Sequence, residues 1–137
     1  MDQLGNAHIA GTAFGGPSSA DFPTTITALQ RVCAFENDST CAFYTKLNFD
    51  GSQLLYSTYY GTQTPTGLRE TTGTGLALDL RGNAYLAGIT EAPDLITTPG
   101  AFQQTFGGGR FDAFVAKFDP RRSGESSWSI ALIGKKW

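Results

Sequence analysis

The sequence predicts an all-β protein built from two tandem antiparallel sheets. The main observation is an internal repeat, in which Gly5-Asn6-Ala7-His8-Ile9-Ala10-Gly11 returns as Gly82-Asn83-Ala84-Tyr85-Leu86-Ala87-Gly88. A second is that the apolar runs are short, rich in aromatic and β-branched residues, and separated by turns that contain Gly or Pro. A third is that no segment longer than about ten residues has the periodicity of an amphipathic helix.

The repeat extends through most of the chain. Asp21–Thr25 returns as Asp94–Thr98, and Cys41–Asn48 returns as Asp112–Asp119. The spacing between matched segments changes only where the chain is rich in Gly, Pro or Ser, as in Thr12–Ala20. Because surface loops tolerate insertions, this pattern favours two copies of one structural unit with loops of different length.

Each copy is predicted to be a meander of short strands joined by tight turns, as at Asp50-Gly51 and Arg81-Gly82. Most of a first strand is missing from the first copy, because Met1 aligns with Leu78. The predicted strands are Ala7–Gly11, Ala42–Leu47, Gln53–Tyr60, Leu76–Leu80, Asn83–Ile89, Ala113–Phe118 and Trp128–Ile133.

Four-stranded antiparallel meanders in tandem are typical of β-propeller blades. The sequence therefore predicts a first blade in residues 1–67, lacking most of its first strand, and a second blade in residues 68–137. The alternative is a small β-sandwich in which the two sheets pack face to face. Between the strands, Thr25–Val32 is compatible with one or two helical turns.

Several stretches of the second copy form a specific pattern: Gly82–Gly88, Thr97–Gln103, Phe106–Gly109 and Asp112–Lys117. They resemble the SBBP repeat, whose members build bacterial β-propellers that are nominally seven-bladed. The first copy is similar at fewer positions, and residues 121–137 depart from the pattern. The resemblance implies large cell-surface or secreted proteins, and it carries no catalytic residues to this chain.

The composition excludes several classes of protein. The 137 residues carry 10 Lys and Arg against 12 Asp and Glu, a net charge of −2, whereas an electrostatic nucleic-acid binder is usually basic. No stretch approaches the roughly 20 apolar residues of a membrane span. Met1–Gly5 lack both parts of a secretory signal, so either the protein stays inside the cell or a leader lies outside this sequence.

The two cysteines, Cys33 and Cys41, flank a short loop that contains Asn, Asp and Ser. Such a loop can bring the two Cα atoms within disulfide range, and the alternative is a pair of reduced buried thiols. With no CxxC spacing and a single histidine, a zinc site is not expected. Asn37-Asp38-Ser39 matches a glycosylation sequon and is interpreted as a loop tip.

Several polar residues are candidates for a functional role. His8, the only histidine, lies within a predicted strand and is expected to pack there rather than to catalyse. Gly107-Gly108-Gly109-Arg110 precedes a strand and is interpreted as a flexible connection rather than a phosphate loop. The alternation of Asn48, Asp50 and Ser52 faintly suggests a calcium loop, but no acidic residue follows at the closing position.

Other candidates have simpler explanations. Asp21 and Asp94, at matching places in the two copies, are expected to hold loops through hydrogen bonds to backbone N–H groups. Trp128 and Trp137 offer faces for a sugar ring, but neither is repeated. Arg121, Arg122, Lys135 and Lys136 make a basic, solvated end. No catalytic, metal-binding or cofactor-binding residue is predicted.

Two blades alone leave an apolar face uncovered on each side, so we expect the chain to be part of a longer propeller or to self-associate into a ring. The expected function is a non-enzymatic structural or binding module, extracellular or at the cell surface, with an unidentified protein or glycan ligand. The alternatives are a lectin-like propeller and a fragment of a propeller enzyme. No cofactor is expected.

Overall fold

The computed structural model describes residues 1–15, 22–33, 39–64, 67–119 and 128–133. In these segments the chain forms strands, turns and irregular connections, with no helix. Accordingly, this described part contains no helix long and apolar enough to cross a membrane. The strands are β1 (Ala7–Phe14), β2 (Thr40–Leu47), β3 (Leu54–Tyr60), β4 (Thr71–Leu78), β5 (Ala84–Thr90), β6 (Asp112–Phe118) and β7 (Trp128–Ile133).

The first three strands form one antiparallel sheet in the order β1-β2-β3. In the central strand, Tyr44 pairs with Ala10 of β1 and with Thr58 of β3. The turn between β2 and β3 includes Gly51, whose φ of +74° is a conformation that residues with a side chain rarely adopt. A glycine is therefore needed to close this hairpin.

The other four strands form a second antiparallel sheet in the order β4-β5-β6-β7. The prediction of a strand at Leu76–Leu80 was wrong in its bounds, because β4 extends from Thr71 to Leu78. Two glycines, Gly73 and Gly75, make the start of this strand look like a loop, and a register shift between them fits them into the ladder. β7 pairs with β6 although its sequence departs from the repeat pattern.

The two sheets pack face to face around one core. The ring of Tyr44 stacks on that of Phe118, and the ring of Tyr60 meets that of Phe114 edge-on, with centroids 5.0 Å apart in both pairs. The prediction of an all-β chain with two antiparallel sheets is confirmed. The pair is consistent with propeller blades, and it is not a closed propeller. The buried core residues are Ala42, Tyr44, Tyr56, Tyr60, Ala84, Leu86, Ala92, Leu95, Phe114, Ala116 and Phe118.

The segment before the disulfide loop runs along the outer edge of β3. Thr25 N donates to the Ser57 carbonyl and Tyr59 N donates to the Gln30 carbonyl, both at 3.0 Å. The helical turns considered for Thr25–Val32 amount to a single bond from Ala28 N to the Thr25 carbonyl at 3.1 Å. The segment instead satisfies backbone groups that would otherwise be unpaired at the sheet edge.

Cys33 and Cys41 form a disulfide with their Cα atoms 5.9 Å apart, so the alternative of two reduced thiols is not what the structure contains. Both residues are fully buried. They cluster with Tyr59 on the face of the first sheet that points away from the second sheet, where Phe22 packs on Tyr59 with ring centroids 4.9 Å apart. The disulfide thus anchors the loop between β1 and β2 to this outer face.

Candidate functional site

The turn that leads into β1 is organised by the carboxylate of Asp2. Its Oδ1 accepts hydrogen bonds from the backbone N–H groups of Leu4 and Asn6, both at 3.0 Å. Its Oδ2 accepts a further bond from Asn6 Nδ2 at 2.9 Å. An aspartate that bonds to backbone N–H groups shortly after it closes a tight turn, so Asp2 shapes this end of the sheet.

Two side chains of the first sheet converge on the same carboxylate. His8 of β1 and Lys46 of β2 are paired across the ladder. His8 Nε2 lies 3.2 Å and Lys46 Nζ lies 2.9 Å from Asp2 Oδ2, and the side chains of His8, Lys46 and Asp2 are 1%, 7% and 7% exposed. The other ring nitrogen, His8 Nδ1, lies 2.9 Å from the hydroxyl of Tyr44. These four residues form a buried polar network, which we call the Asp2 network.

Burial and hydrogen bonding set the charges in the Asp2 network. Burial opposes ionisation of Asp2, but the bonds from Asn6, Lys46 and His8 outweigh it and hold the pKa of Asp2 well below its ordinary value. Burial lowers the pKa of His8, against the opposing effect of Asp2, and raises the pKa of Tyr44. With a neutral imidazole, the network is satisfied when Nε2–H donates to Asp2 and Nδ1 accepts from Tyr44 O–H.

In this arrangement the acceptors of the Asp2 network are occupied by donors of the same chain. The carboxylate of Asp2 accepts five hydrogen bonds from backbone and side-chain donors, and both nitrogens of His8 are bonded. The network is therefore suited to fixing the turn and the first sheet in place, and to holding the Lys46 ammonium in a fixed position.

A cleft of about 260 Å³ lies beside the network, between the turn before β1 and the turn between β4 and β5. Asp2 and Lys46 form its buried part. Leu4 and Leu80, 79% and 87% exposed, form its walls together with Arg81 and Gly82. The cleft therefore exists only because the two copies of the repeat lie side by side.

The second sheet carries a related arrangement at the same place. Asp79 Oδ1 accepts bonds from the backbone N–H groups of Arg81 and Asn83, both at 2.9 Å, and its Oδ2 accepts one from Asn83 Nδ2 at 2.7 Å. The hydroxyl of Tyr85, which replaces His8, lies 3.4 Å from the same Oδ2. Lys117 lies over the Tyr85 ring, 5.4 Å from its centroid. The turn is thus repeated, whereas the Lys–Asp contact is made only in the first sheet among the described residues.

Sequence reasoning placed His8 in a strand but missed its partners Asp2 and Lys46. A signal for them exists, because Asp2, Asn6 and Lys46 have the counterparts Asp79, Asn83 and Lys117 in the second copy. The repeat shows that the same three residue types recur at these positions. It does not reveal that an aspartate in a turn and a lysine in the middle strand lie 2.9 Å apart.

Asp94 has the loop-holding role that was predicted for it. Its Oδ2 accepts bonds from the backbone N–H groups of Gln63 at 3.0 Å and Thr64 at 2.8 Å, and its Oδ1 accepts one from the hydroxyl of Thr62 at 2.9 Å. These residues belong to the connection between the two sheets. Asp94 therefore ties that connection to the loop after β5.

The two remaining loop candidates are occupied by internal contacts. Asp50 Oδ1 accepts bonds from the N–H group and the hydroxyl of Ser52, at 2.9 and 2.6 Å, and these bonds close a turn. In the glycine-rich loop, Gly107 N donates to Asp112 Oδ2, and Arg110 Nε lies 3.2 Å from Glu91 Oε1. Within the described residues, no group of three or more His, Cys, Asp or Glu side chains is placed to hold a metal ion.

The other candidates cannot be located in the same way. Trp128 begins β7. The rest lie outside the described residues: Asp21, Asn37, Asp38, Arg121, Arg122, Lys135, Lys136 and Trp137.

A comparison with family models identifies one segment of the chain. Residues 55–93 match the SBBP model, described as a beta-propeller repeat, and the resemblance noted in the sequence is confirmed over these residues. The match runs from β3 through β4 and β5, so it begins in the first sheet and ends in the second. No curated protein and no solved structure matches the chain.

Proposed function

Because residues 55–93 carry a beta-propeller repeat, we propose that the chain is a non-enzymatic repeat module whose sheets stack as propeller blades. In this proposal the exposed parts of the two outer faces of the pair each take up a further sheet, supplied by a second copy of the chain. The loops at the ends of the sheets then display contacts for a protein or glycan ligand.

The observation that carries this proposal is that equivalent faces of the two sheets do not meet. Phe114 faces the first sheet and is 1% exposed, whereas its counterpart Phe43 lies on the face of the first sheet that points away from the second. In the neighbouring strands, Leu86 is fully buried in the shared core and its counterpart Ile9 is 43% exposed. The second sheet thus uses one face at the contact, and the first sheet uses the opposite face.

Such a front-to-back contact differs from that of a two-fold sandwich, in which equivalent faces would meet. A front-to-back contact leaves one unused face of each kind, so further sheets can be added by the same contact. An exposed apolar side chain supports an unused face on the second sheet. Leu29 packs against the shared core, while Phe102, at the matching place in the second copy, is 88% exposed.

Two further observations support a binding module outside the cell over an enzyme. The only histidine has a side chain that is 1% exposed, and both of its ring nitrogens are bonded within the Asp2 network, which supports a structural role for it. The disulfide between Cys33 and Cys41 is of the kind that persists in oxidising compartments, which favours a secreted or cell-surface location.

The self-association is tested by measuring the mass in solution with size-exclusion chromatography and light scattering. We expect masses that are multiples of 14.6 kDa and that increase with concentration. Ile9→Lys and Phe102→Lys each place a charge on one open face, and each should shift the protein towards the monomer. Leu80→Lys is the matched control, because Leu80 is as exposed as Phe102 but lies at a turn tip.

Mixing the two face variants tests the front-to-back geometry itself. Ile9→Lys keeps an intact second-sheet face and Phe102→Lys keeps an intact first-sheet face, so the mixture should form a dimer that does not grow. A wild-type protein that stays monomeric at all concentrations would refute self-association. A mixture that stays monomeric, while the wild type assembles, would refute the front-to-back contact.

A further inference from the structure

Besides the neutral amide of Gln3, the charged side chains of the cleft between the two turns offer hydrogen-bonding capacity of only one kind. The carboxylate of Asp2 already accepts five bonds and can take no more. The ammonium of Lys46 has three N–H groups, and Asp2 is its only acceptor within the described residues. Arg81 adds an exposed guanidinium at the rim. A molecule in the cleft therefore meets charged donors that can take a further acceptor.

The charge and shape of the cleft restrict the acceptor further. Lys46 and Arg81 carry two positive charges against the single negative charge of Asp2, so the lining has an excess of one positive charge. The walls at Leu4 and Leu80 are apolar. The volume of about 260 Å³ is below the range of about 300–1,000 Å³ of most ligand pockets. A small monovalent anion with a short apolar part matches all three properties.

We propose that this cleft binds a small organic carboxylate. The carboxylate group accepts hydrogen bonds from Lys46 and Arg81, and the short alkyl part lies between Leu4 and Leu80. The Asp2 network serves this site by holding the Lys46 ammonium in place. A phosphate dianion fits less well, because it has no apolar part and carries more charge than the lining balances. The proposal does not depend on self-association, since a single chain supplies every residue of the cleft.

The test is a two-dimensional NMR titration of the full chain with sodium butyrate at constant ionic strength. We expect saturable shifts of the Leu4, Arg81 and Gly82 amide signals, with a dissociation constant in the millimolar range for so small a ligand. Arg81→Gln should weaken binding by about tenfold, as expected for the loss of one charge-assisted hydrogen bond. Leu80→Ser should weaken the binding of butyrate more than that of acetate.

Three comparisons make the outcome decisive. Neutral butyramide should cause no saturable shifts. Arg110→Gln removes an exposed arginine that does not line the cleft, so it should leave butyrate binding unchanged. The absence of saturable shifts with butyrate would overturn the proposal, as would equal shifts with butyramide or an equal loss in Arg110→Gln. Inorganic phosphate that binds as tightly as butyrate would show that the ligand class is wrong.

Discussion

The ring of Tyr44 in β2 stacks on the ring of Phe118 in β6, with centroids 5.0 Å apart and planes 20° from parallel. The hydroxyl of the same tyrosine is bonded to His8 Nδ1 at 2.9 Å. One side chain therefore joins the apolar core between the two sheets to the Asp2 network. We expect the stability of the sheet pair and the state of His8 to be linked through Tyr44.

The substitution Tyr44→Phe separates these two roles. The phenylalanine keeps the stack on Phe118 but leaves the buried Nδ1 of His8 without its donor, which should cost about 1–3 kcal/mol of unfolding free energy. Phe118→Ala removes the stack itself and should cost about 3–5 kcal/mol. Urea denaturation monitored by tryptophan fluorescence measures both. A Tyr44→Phe protein as stable as the wild type would contradict the importance of the hydroxyl.

Acid should destabilise the fold through His8. Because burial lowers the pKa of His8 in the folded state, the unfolded chain takes up its proton first as the pH falls below about 6.5. The stability is then complete above the unfolded pKa and is lost as the pH falls towards the folded value. Asp2, whose pKa is also lowered, adds a loss at still lower pH.

Thermal unfolding at pH 7.5 and pH 5.5 measures this effect. The variant His8→Gln keeps a donor for Asp2 but does not titrate, so it should lose less stability between the two pH values than the wild type. Equal losses in the two proteins would show that His8 is not the group responsible.

The disulfide should make a measurable contribution to stability. Cys33 and Cys41 are separated by 8 positions, and a loop of this length predicts a loss of about 2.5 kcal/mol when the link is removed. The double variant Cys33→Ala/Cys41→Ala should therefore unfold at lower urea concentration than the oxidised wild type. Reducing the wild type should reproduce most of the shift, and an oxidised protein no more stable than the reduced one would contradict the prediction.

Gly88 and Gly11 occupy the same place in the two copies and should respond differently to alanine. A Cβ on Gly88 would lie 2.0 Å from the carbonyl oxygen of Thr72 in β4, so the ladder would have to move. A Cβ on Gly11 would meet only the ring of Phe43, at 3.0 Å. Gly88→Ala should cost about 3 kcal/mol, the upper end for overpacking, and Gly11→Ala clearly less. Equal melting temperatures for the two variants would contradict this expectation.

Asp94 should protect the connection between the sheets. Replacing it with alanine removes the acceptor for the amides of Gln63 and Thr64, so these two amides should exchange with solvent faster. Hydrogen exchange followed by NMR measures the rate at each position. Asp50→Ala, which removes an exposed aspartate from another turn, is the control and should leave both amides unchanged. Unchanged exchange in Asp94→Ala would argue against this role.

Much of the fold could be predicted because the same strand and turn pattern occurs in both copies of the repeat. Short apolar runs bounded by glycine were enough to place strands close to β1, β2, β3, β5, β6 and β7. The start of β4 could not be predicted, because Thr71–Gly75 has the composition of a loop and becomes a strand only by pairing with β5. The local sequence gives no information on the pairing of β4 with β5.

The candidate site was harder to predict, for a related reason. The Asp2 network joins a turn to the middle strand of the sheet, and its existence depends on register and on burial by the second sheet. His8 and Tyr85 stand at the same place in the repeat, yet His8 shares the carboxylate of Asp2 with Lys46, whereas Lys117 lies over the ring of Tyr85. A pattern read from one strand cannot distinguish these environments, because the neighbouring sheet creates the difference.

The close approach at Gly73 has a consequence for the size of any larger assembly. A Cβ there would lie 2.7 Å from the carbonyl oxygen of Gly11, so glycine lets β4 of the second sheet lie directly against β1 of the first sheet. Each added sheet would turn by the same increment, and a ring closes only when these increments complete a circle. A bulkier residue in place of Gly73 would increase the angle between neighbouring sheets. It would therefore change how many sheets complete the ring.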